Sequence, residues 1–387
     1  MKFDKTVLQV IPALDAGGAE RATLEIAEAV VEAGGRALVA TRGGRLAGEI
    51  ERAGGEIFLM PVHSKNPLAI AANRGRLVKL IREEKVDIVH ARSRAPAWSA
   101  LWAARAAGVP FVATYHGAYA AKTPLKRLYN SAMARGDVVI ANSEYTAAAI
   151  RKQFALDEAR LRVIPRGVDL RIFDPDKVAG ERIDALSRLW GVKPGAGALR
   201  LLLPARLTAW KGQDVAIEAV AGLASTMGGT GQAQDLQLVL PGDAQGRDDY
   251  RAALQRAIEM RGVRDMIHLV GHCADMPAAY AWADAVLAPS TRPEAFGRVA
   301  VEAGAMGRPV IAAAHGGAQE TVIDGETGYL VAPGNAKALA GAIAALAGMG
   351  PEGRKAMGAR ARERVRRLYS LEAMRRATLE AYRSLGA

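Results

Sequence analysis

The stretch PSTRPEAFGRVAVEAGAMGRP, residues 289–309, places two carboxylates, Glu294 and Glu302, on either side of a Phe-Gly turn. The turn predicts a helix beginning near Gly297, whose unpaired N–H groups and positive dipole end often hold phosphate in proteins. Arg298 opposes that dipole by roughly 0.3–1 kcal/mol unless an anion is shared between them. The alternative interpretation is that Glu294 belongs to a turn and Glu302 to a solvated helix face.

The chain on both sides of this stretch alternates between apolar runs and helix-length segments. Continuous runs of Val, Ile, Leu and Ala are typical of buried parallel strands. In the second half they lie at residues 199–203, 236–240, 267–270, 285–288, 310–312 and 328–331. In the first half they lie at residues 6–11, 37–40, 57–61, 86–90, 111–114, 138–141 and 161–164. The pattern predicts an α/β fold with two doubly wound sheets.

The length of 387 residues exceeds the size at which one hydrophobic core usually keeps growing. The connector RGVDLRIFDPDK, residues 166–177, is rich in turn formers and interrupts the alternation. The tail, residues 335–385, is helical only and is divided by glycines at 348–353 and by Ser370. We therefore predict an N-terminal domain of residues 1–166, a C-terminal domain of residues 167–369 and a last helical segment of residues 370–387.

Composition narrows the classes of protein. No run of about 18 uncharged apolar residues occurs, and MKFDKTVLQVIP enters a strand directly, so we expect neither a membrane-spanning helix nor a secretory signal. The single cysteine, Cys273, is expected to fill a core position and fits a reducing, cytoplasmic compartment. The net charge of +12 leaves nucleic acid, an anionic membrane surface and anionic small substrates open as partners.

Cations and glycines follow several of the predicted strands. Arg206 lies just past a strand end and Lys211 at the next helix start, a combination suited to clamping a pyrophosphate. Two surface cations in a loop are the alternative. Gly242 and Gly271 follow the next two strands, where they would line the edge that binds a base.

Two similar positions occur in the first half of the chain. Gly17 and Gly18 turn the first strand into a helix and allow close approach of a ligand, or form only a tight turn. Because they do not form the pattern G-x-G-x-x-G, a nicotinamide-dependent oxidoreductase is disfavoured. His116 follows a strand next to Gly117, and both a structural and a functional role are open for it.

Eight motifs, in order between residue 6 and about residue 332, carry a resemblance to a known family. They are GGAER, TYHG, ANSEYT, VIPRGVDLRIF, LLLPARLTAWKGQD, EAFGRVAVE, GRPVIAA and GGAQETVIDGETGYLV. Together they resemble glycosyltransferase family 4, the retaining GT-B transferases. The resemblance implies two facing Rossmann-like domains, a last helix that crosses back to the first domain, and a donor sugar linked to UDP or GDP.

The resemblance also implies roles for individual residues. Arg206 and Lys211 would hold the pyrophosphate, Glu302 the ribose hydroxyls and Glu294 the transferred sugar. The backbone N–H groups of Phe296, Gly297 and Arg298 would contact sugar and phosphate. His116 would contact the sugar from the acceptor side, and Gly17 and Gly18 would close over phosphate and acceptor. The residues assigned to catalysis are thus His116, Arg206, Lys211 and Glu294.

The implied reaction needs neither a metal nor another cofactor. Charge develops on the leaving nucleotide diphosphate, where fixed cations and helix dipoles stabilise it. No carboxylate is placed as a nucleophile, so front-face attack fits better than a scheme with two carboxylates. Asp174 and Asp176 imitate a metal-binding D-x-D motif, but they lie in the connector, and we interpret them as structural.

The acceptor side is expected in the first domain. Basic residues are interleaved with aromatic ones in HARSRAPAWSALWAARAAG and AAKTPLKRLYN, and they are Arg92, Arg94, Lys122, Lys126 and Arg127. This pattern suits an anionic lipid head group or the surface of a bilayer. The alternative is that Trp98 and Trp102, at i,i+4 spacing, are core residues.

We therefore expect a retaining hexosyltransferase attached peripherally to the cytoplasmic face of the inner membrane. Its acceptor would be a lipid-linked or saccharide intermediate of lipopolysaccharide, glycolipid or envelope polysaccharide synthesis. A nucleotide-sugar epimerase of the same architecture is the nearest alternative. A nucleic-acid-binding protein is disfavoured, because the basic residues are dispersed and no nucleic-acid-binding motif accompanies them.

Overall fold

A computed structural model of the chain describes residues 2–15, 17–119, 121, 123–192, 197–227 and 236–386. The chain forms two compact units. Unit 1 consists of residues 1–167 together with residues 371–387, and unit 2 consists of residues 168–370. Each unit is an α/β domain built on one parallel sheet, which confirms the predicted fold class.

Unit 1 alternates strands and helices along the chain. Its strands are β1 Thr6–Val10, β2 Arg36–Thr41, β3 Glu56–Leu59, β4 Ile88–Ala91, β5 Phe111–Tyr115, β6 Val138–Ala141 and β7 Leu161–Val163. Its helices are α1 Gly18–Glu32, α2 Ala47–Arg52, α3 Pro67–Glu83, α4 Arg94–Ala107, α5 Pro124–Ala134 and α6 Glu144–Gln153, joined after the other unit by the last helix of the chain, α15 Leu371–Arg383. Every apolar run predicted in this half overlaps a strand, with ends that differ by at most two residues.

The seven strands of unit 1 pair in the order β3-β2-β1-β4-β5-β6-β7, and all are parallel. The order reverses between β1 and β4, so the loops after these two strands leave the sheet side by side. Such a switch point is where parallel sheets open a crevice for ligands. Gly17 follows β1 and Arg92 follows β4, so both lie at this point.

The last helix is fastened to unit 1 by its aromatic and basic side chains. Tyr382 is fully buried, and its hydroxyl lies 2.7 Å from His90 Nδ1, whose Nε2 lies 2.7 Å from Thr114 Oγ1. Arg375 forms ion pairs with Glu28 and Glu32 of α1. These contacts place the final helix on unit 1, as the family resemblance implied.

Unit 2 repeats the alternation. Its strands are β8 Leu199–Leu202, β9 Leu236–Pro241, β10 Ile267–Gly271, β11 Ala285–Ala288, β12 Val310–Ala313 and β13 Gly328–Val331. Its helices are α7 Gly180–Trp190, α8 Gln213–Met227, α9 Asp248–Met260, α10 Met276–Trp282, α11 Arg298–Ala305, α12 Ala318–Thr321, α13 Ala336–Gly348 and α14 Gly350–Leu368. The predicted division of the tail near 348–353 and at Ser370 matches the ends of these helices.

The six parallel strands of unit 2 pair in the order β10-β9-β8-β11-β12-β13. Here the order reverses between β8 and β11, which places the switch point beside the loop that carries Lys211 and the loop that carries Glu294. Leu201, Leu238, Leu287 and Ile311 are almost completely buried and form the core under these loops. Cys273 packs in the neighbouring core cluster, as expected.

The connector between the units carries Asp174 and Asp176, the two residues that resemble a metal-binding D-x-D motif. Asp174 Oδ1 and Asp176 Oδ2 lie 2.7 and 3.0 Å from the same nitrogen, Nη2, of Arg362 on α14. Both carboxylates therefore serve to fix the connector against the last helix of unit 2. Within the described ranges, no helix is both long and apolar enough to cross a bilayer.

Candidate functional site

Lys211 and Glu294 meet at the switch point of unit 2. Lys211 ends a short 3-10 turn before α8, and its Nζ lies 2.8 Å from Glu294 Oε1. The two side chains are 12% and 22% exposed, so their attraction is screened less than that of a surface pair. The lysine ammonium also lies 4.5 Å from the ring centroid of Trp210. The structure thus brings together two residues that are 83 positions apart in the sequence.

Among the described residues, the Glu294 carboxylate is contacted through only one of its oxygens, Oε1. Ser290 Oγ donates to Oε1 at 2.5 Å, and His315 Nε2 lies 2.8 Å from the carbonyl oxygen of Ser290. The carbonyl of Glu294 itself accepts from the Gly317 N–H at 2.9 Å. Among the described residues, Oε2 has no hydrogen-bond partner, so this oxygen remains able to accept from a hydroxyl group.

The loop that carries Glu294 is joined to the loop that carries Lys211. The Thr291 N–H donates to the Trp210 carbonyl at 2.8 Å. This bond crosses from the segment after β8 to the segment after β11. The spacing of the Lys211–Glu294 pair is therefore fixed by backbone as well as by charge.

Glu302 lies one helical turn into α11 and is held by two donors. Tyr280 Oη donates to Oε2 at 2.9 Å, and Arg298 Nη2 lies 2.9 Å from Oε1. Burial and the neighbouring Glu302 charge raise the pKa of Tyr280 well above its usual value, so its hydroxyl stays protonated and donates. The Arg298 cation lies near the positive end of the α11 dipole, which is unfavourable. The ion pair with Glu302, four residues further on, offsets that cost.

The start of α11 has the geometry that the sequence predicted. Gly297 is the N-cap with φ of 80°, a left-handed conformation that favours glycine. Phe296 is buried in the cluster formed with Tyr369, at a ring-centroid distance of 5.7 Å. This side chain anchors the turn from which the helix begins.

Arg206 and the two glycines Gly242 and Gly271 lie at the ends of β8, β9 and β10. Arg206 is exposed, and its guanidinium makes no hydrogen bond or ion pair with the described residues, although its carbonyl accepts from Gln213 Nε2 at 2.9 Å. The Gly242 N–H donates to the Gly271 carbonyl at 2.7 Å. A Cβ atom on Gly242 would lie 1.9 Å from the Ala205 carbonyl oxygen, so glycine is needed there for close packing of two loops.

His116 of unit 1 is bound by Arg166. Arg166 Nη1 lies 3.1 Å from His116 Nδ1, and because a guanidinium only donates, Nδ1 accepts and the ring proton resides on Nε2. Burial, with the nearby charges of Arg92 and Arg166, lowers the pKa of His116 well below its usual value. Arg166 Nη2 also donates to the carbonyl of Gly18, which ties α1 to the segment after β7.

The predicted acceptor-side cations differ in how far they are buried. Lys126 and Arg127 are exposed on α5, whereas Arg94 is half-buried with its guanidinium 4.0 Å from the Tyr119 ring centroid. Arg92 was expected with these surface cations, but it is buried, because it lies at the centre of the sheet edge rather than on a helix face. Lys122 lies outside the described residues.

The two tryptophans on α4 differ in environment. The Trp98 indole donates to the Tyr129 carbonyl at 3.0 Å and packs against the core, and Trp102 is 42% exposed beside it. The core interpretation holds for Trp98, and Trp102 is open to solvent.

Sequence reasoning missed several supporting residues of the sites. They are Ser290, His315 and Tyr280 in unit 2 and Arg166 in unit 1. Ser290 and Arg166 stood inside quoted motifs, but nothing in their spacing indicated which side chain each would contact. Among the described residues, no group of three or more His, Cys, Asp or Glu side chains is arranged to hold a metal.

Two family models match the chain. Residues 16–172 match Glycosyltransferase Family 4, and residues 196–364 match Glycosyl transferases group 1. A D-inositol 3-phosphate glycosyltransferase of Xylanimonas cellulosilytica is 32% identical over 301 residues, which are 72% of this chain and 68% of the relative. A GDP-mannose-dependent alpha-(1-6)-phosphatidylinositol monomannoside mannosyltransferase of Mycolicibacterium smegmatis is 33% identical over 66% of each chain.

Solved structures of similar proteins cover nearly the whole chain. A glycosyltransferase from Rickettsia africae is 33% identical with a TM-score of 0.91, over 99% of this chain and 98% of that one. Anabaena Alr3699/HepE in complex with UDP is 25% identical with a TM-score of 0.84, over 98% and 100% of the two chains. The same Anabaena protein has also been solved in complex with UDP-glucose. With its two parallel sheets, its ordered motifs and these relatives, the chain belongs to glycosyltransferase family 4 and has the GT-B fold.

Proposed function

We propose that this glycosyltransferase moves a sugar from a nucleotide-diphosphate sugar to a membrane-associated acceptor, with retention of the anomeric configuration. The observation that carries the donor assignment is the Lys211–Glu294 pair at the switch point of unit 2. It places a cation beside a carboxylate whose second oxygen no described residue uses. A diphosphate needs the cation, and a sugar hydroxyl needs the oxygen.

Each donor-site residue has a role that its contacts support. Lys211 and Arg206 hold the pyrophosphate, and Arg206 is suited to this because its guanidinium is exposed and not engaged by described protein groups. Glu294 accepts from a hydroxyl of the transferred sugar through Oε2. Glu302, fixed by Tyr280 and Arg298, accepts from the ribose hydroxyls.

The N–H groups of Phe296, Gly297 and Arg298 complete the donor site at the start of α11. In this proposal they and the positive end of the helix dipole stabilise the charge that develops as the sugar–phosphate bond breaks. Because these donors are already fixed by the fold, little reorganisation is needed at the moment of transfer.

The mechanism follows from what the site offers. The bond from the anomeric carbon to the diphosphate breaks, its electron pair stays on the phosphate oxygen, and the acceptor hydroxyl attacks the same face. A phosphate oxygen of the leaving group takes the proton of that hydroxyl. Glu294 is engaged by Lys211 and Ser290, so its role is to orient the sugar rather than to attack it. No step requires a metal.

The acceptor and its location are proposed from unit 1. Helix α5 exposes Leu125 by 77% and Leu128 by 54%, next to the exposed cations Lys126 and Arg127. Exposed leucines beside lysine and arginine suit the interface of an anionic bilayer. The mannosyltransferase relative is named for a phosphatidylinositol acceptor, which is a lipid. We accordingly place the protein on the cytoplasmic face of a membrane, in lipopolysaccharide, glycolipid or envelope polysaccharide synthesis.

The nucleotide and the sugar are tested together by a thermal-shift panel. UDP, GDP, UDP-glucose and GDP-mannose are compared, since the relatives and neighbours carry both kinds of nucleotide in their names. A ligand at 100 times its dissociation constant stabilises the folded protein by about 2.7 kcal/mol. A shift with one nucleotide and its sugar supports the proposal, and no shift with any nucleoside diphosphate contradicts it.

A further inference from the structure

Arg92 is a buried cation at the switch point of unit 1. It follows β4 directly, and its backbone N–H donates to the carbonyl of Val10, the last residue of β1, at 3.0 Å. The residue is 3% exposed. Its guanidinium makes no hydrogen bond or ion pair with any described residue, and its Nε is fully buried without a partner.

A buried guanidinium of this kind is unusual because charged side chains are seldom buried unless they are paired. Burial lowers the pKa of Arg92 to about 10, so the side chain still carries its charge at neutral pH. Leaving that charge without a partner destabilises the folded protein. A residue that costs stability and is nonetheless placed at a ligand crevice is a candidate for binding an anion.

His116 gives a second, independent indication. Its Nδ1 accepts from Arg166, so its Nε2 carries a proton, and Nε2 is buried with no acceptor among the described residues. Arg92 directly follows β4 and His116 directly follows β5, and these two strands are neighbours in the parallel sheet, so both residues leave the same edge side by side. This edge of the sheet therefore carries two buried donors, Arg92 Nε and His116 Nε2, that have no acceptor among the described residues.

Other titratable groups surround Arg92 and His116. Arg166 is 5% exposed and adds a second buried guanidinium near His116. Glu25 is the carboxylate that acts on Arg92, and it is also shared with Arg21, whose Nε lies 3.7 Å from Glu25 Oε1. His90 is buried, and burial lowers its pKa well below the usual value, so it contributes no charge at neutral pH. The Glu25 carboxylate is thus divided between Arg92 and Arg21.

We propose that Arg92 binds an acidic group, a phosphate or a carboxylate, carried by the acceptor. The inference rests on the proposed function, which assigns the donor diphosphate to Arg206 and Lys211 of unit 2 and leaves this anion to the other substrate. A guanidinium recognises both kinds of oxyanion with two parallel hydrogen bonds. Acceptors that lack an acidic group near the reacting hydroxyl are then poor substrates.

The experiment measures thermal unfolding with and without inorganic phosphate, in saturating UDP and at constant ionic strength. Saturating UDP occupies the donor site, so any remaining shift with phosphate reports another site. Arg92→Met keeps the length of the side chain and removes its charge, and Arg82→Gln, at an exposed position of α3, is the matched control. Acetate replaces phosphate in a parallel series, with chloride as the reference anion.

We expect phosphate to raise the unfolding midpoint of the UDP-bound wild type and of Arg82→Gln by about 2–4 °C, and to leave Arg92→Met unchanged. In chloride without ligand, the midpoint of Arg92→Met should equal or exceed that of the wild type, because an uncompensated buried charge is removed. A lower midpoint would show that Arg92 is structural and would overturn the proposal.

Two further outcomes would also overturn it. The first is a phosphate shift that Arg92→Met retains. The second is a phosphate shift that disappears in wild type once UDP is bound, because the anion would then be the donor's diphosphate. If UDP itself gives no shift, the donor assignment fails, while the dependence of the phosphate shift on Arg92 is still measured directly.

Discussion

Lys211 and Glu294 form an ion pair of 2.8 Å across the point where the strand order of unit 2 reverses. The pair joins the loop after β8 to the loop after β11. Its carboxylate has a second oxygen that no described residue uses. We interpret the pair as the centre of the donor site, in which each member keeps the other in position until substrate arrives.

Replacement of Lys211 by alanine should abolish transfer and leave the fold intact. Loss of one charge-assisted contact with the diphosphate, worth about 1.5–3 kcal/mol, should weaken UDP binding roughly 10- to 150-fold. Calorimetric titration with UDP measures the change. Lys337→Ala, at an exposed position of α13, is the control and should bind UDP like the wild type. Near-normal transfer by Lys211→Ala would remove the pyrophosphate assignment.

Replacement of Glu302 by glutamine should reduce recognition of the ribose. The wild type should bind UDP more tightly than 2′,3′-dideoxy-UDP, because a carboxylate accepts strongly from the hydroxyls. In Glu302→Gln we expect that preference to fall about threefold to tenfold, since a neutral acceptor forms the weaker bond. Competition binding of the two nucleotides measures it. An unchanged preference would mean that Glu302 serves only to hold Tyr280 and Arg298.

Replacement of Gly242 by alanine should disrupt the edge of the unit 2 sheet. The new Cβ atom would lie 1.9 Å from the Ala205 carbonyl oxygen, and backbone cannot yield as a flexible side chain does. We expect a loss of about 1–3 kcal/mol in the free energy of unfolding. Gly341→Ala is the control, because that exposed glycine lies in α13 with open space around it, and it should stabilise by about 0.5–1 kcal/mol. Chemical denaturation compares the two, and equal effects would contradict the prediction.

Two histidines of unit 1, the buried His90 and the partly buried His116, should make its stability depend on pH. Burial lowers the pKa of both His90 and His116 in the folded state, whereas in the unfolded chain they titrate near about 6.5. The unfolded chain therefore binds more protons below that pH, and stability present above it is lost as the pH falls. The expected slope is about 1.4 kcal/mol per pH unit for each histidine.

Hydrogen exchange of unit 1 at several pH values measures this slope. His90→Gln should show roughly half the dependence of the wild type below about pH 6.5, because one of the two groups is removed. If unit 1 is equally stable at about pH 7 and at about pH 5, a range that spans the titration of a free histidine, the assignment of neutral histidines is contradicted.

Removal of the cations of α5 should weaken binding to anionic membranes. Each lysine or arginine near such a surface contributes about 1 kcal/mol, so Lys126→Gln with Arg127→Gln should reduce binding roughly 30-fold. Sedimentation with vesicles containing phosphatidylserine at low salt measures it. Lys79→Gln with Arg82→Gln, on the exposed face of α3, is the control pair. Wild-type protein that does not sediment at all would contradict the membrane proposal.

The sequence by itself determined the alternation of strands and helices, the class of fold and the family. A buried parallel strand needs a continuous apolar run, and a helix needs its own period, so these features are written in local residue order. The turn before α11 is also written locally, because the helix begins after Gly297, whose positive φ favours glycine.

The partners of the site residues were decided by the tertiary structure. Lys211 reaches Glu294, Tyr280 reaches Glu302, and Arg166 reaches His116 only because the strand order places their loops side by side. Strand order depends on contacts between segments far apart in the chain, and residue spacing does not encode it. For the same reason the sequence pattern presented Arg92 as one of several surface cations, whereas the fold buries it at the carboxyl edge of the unit 1 sheet.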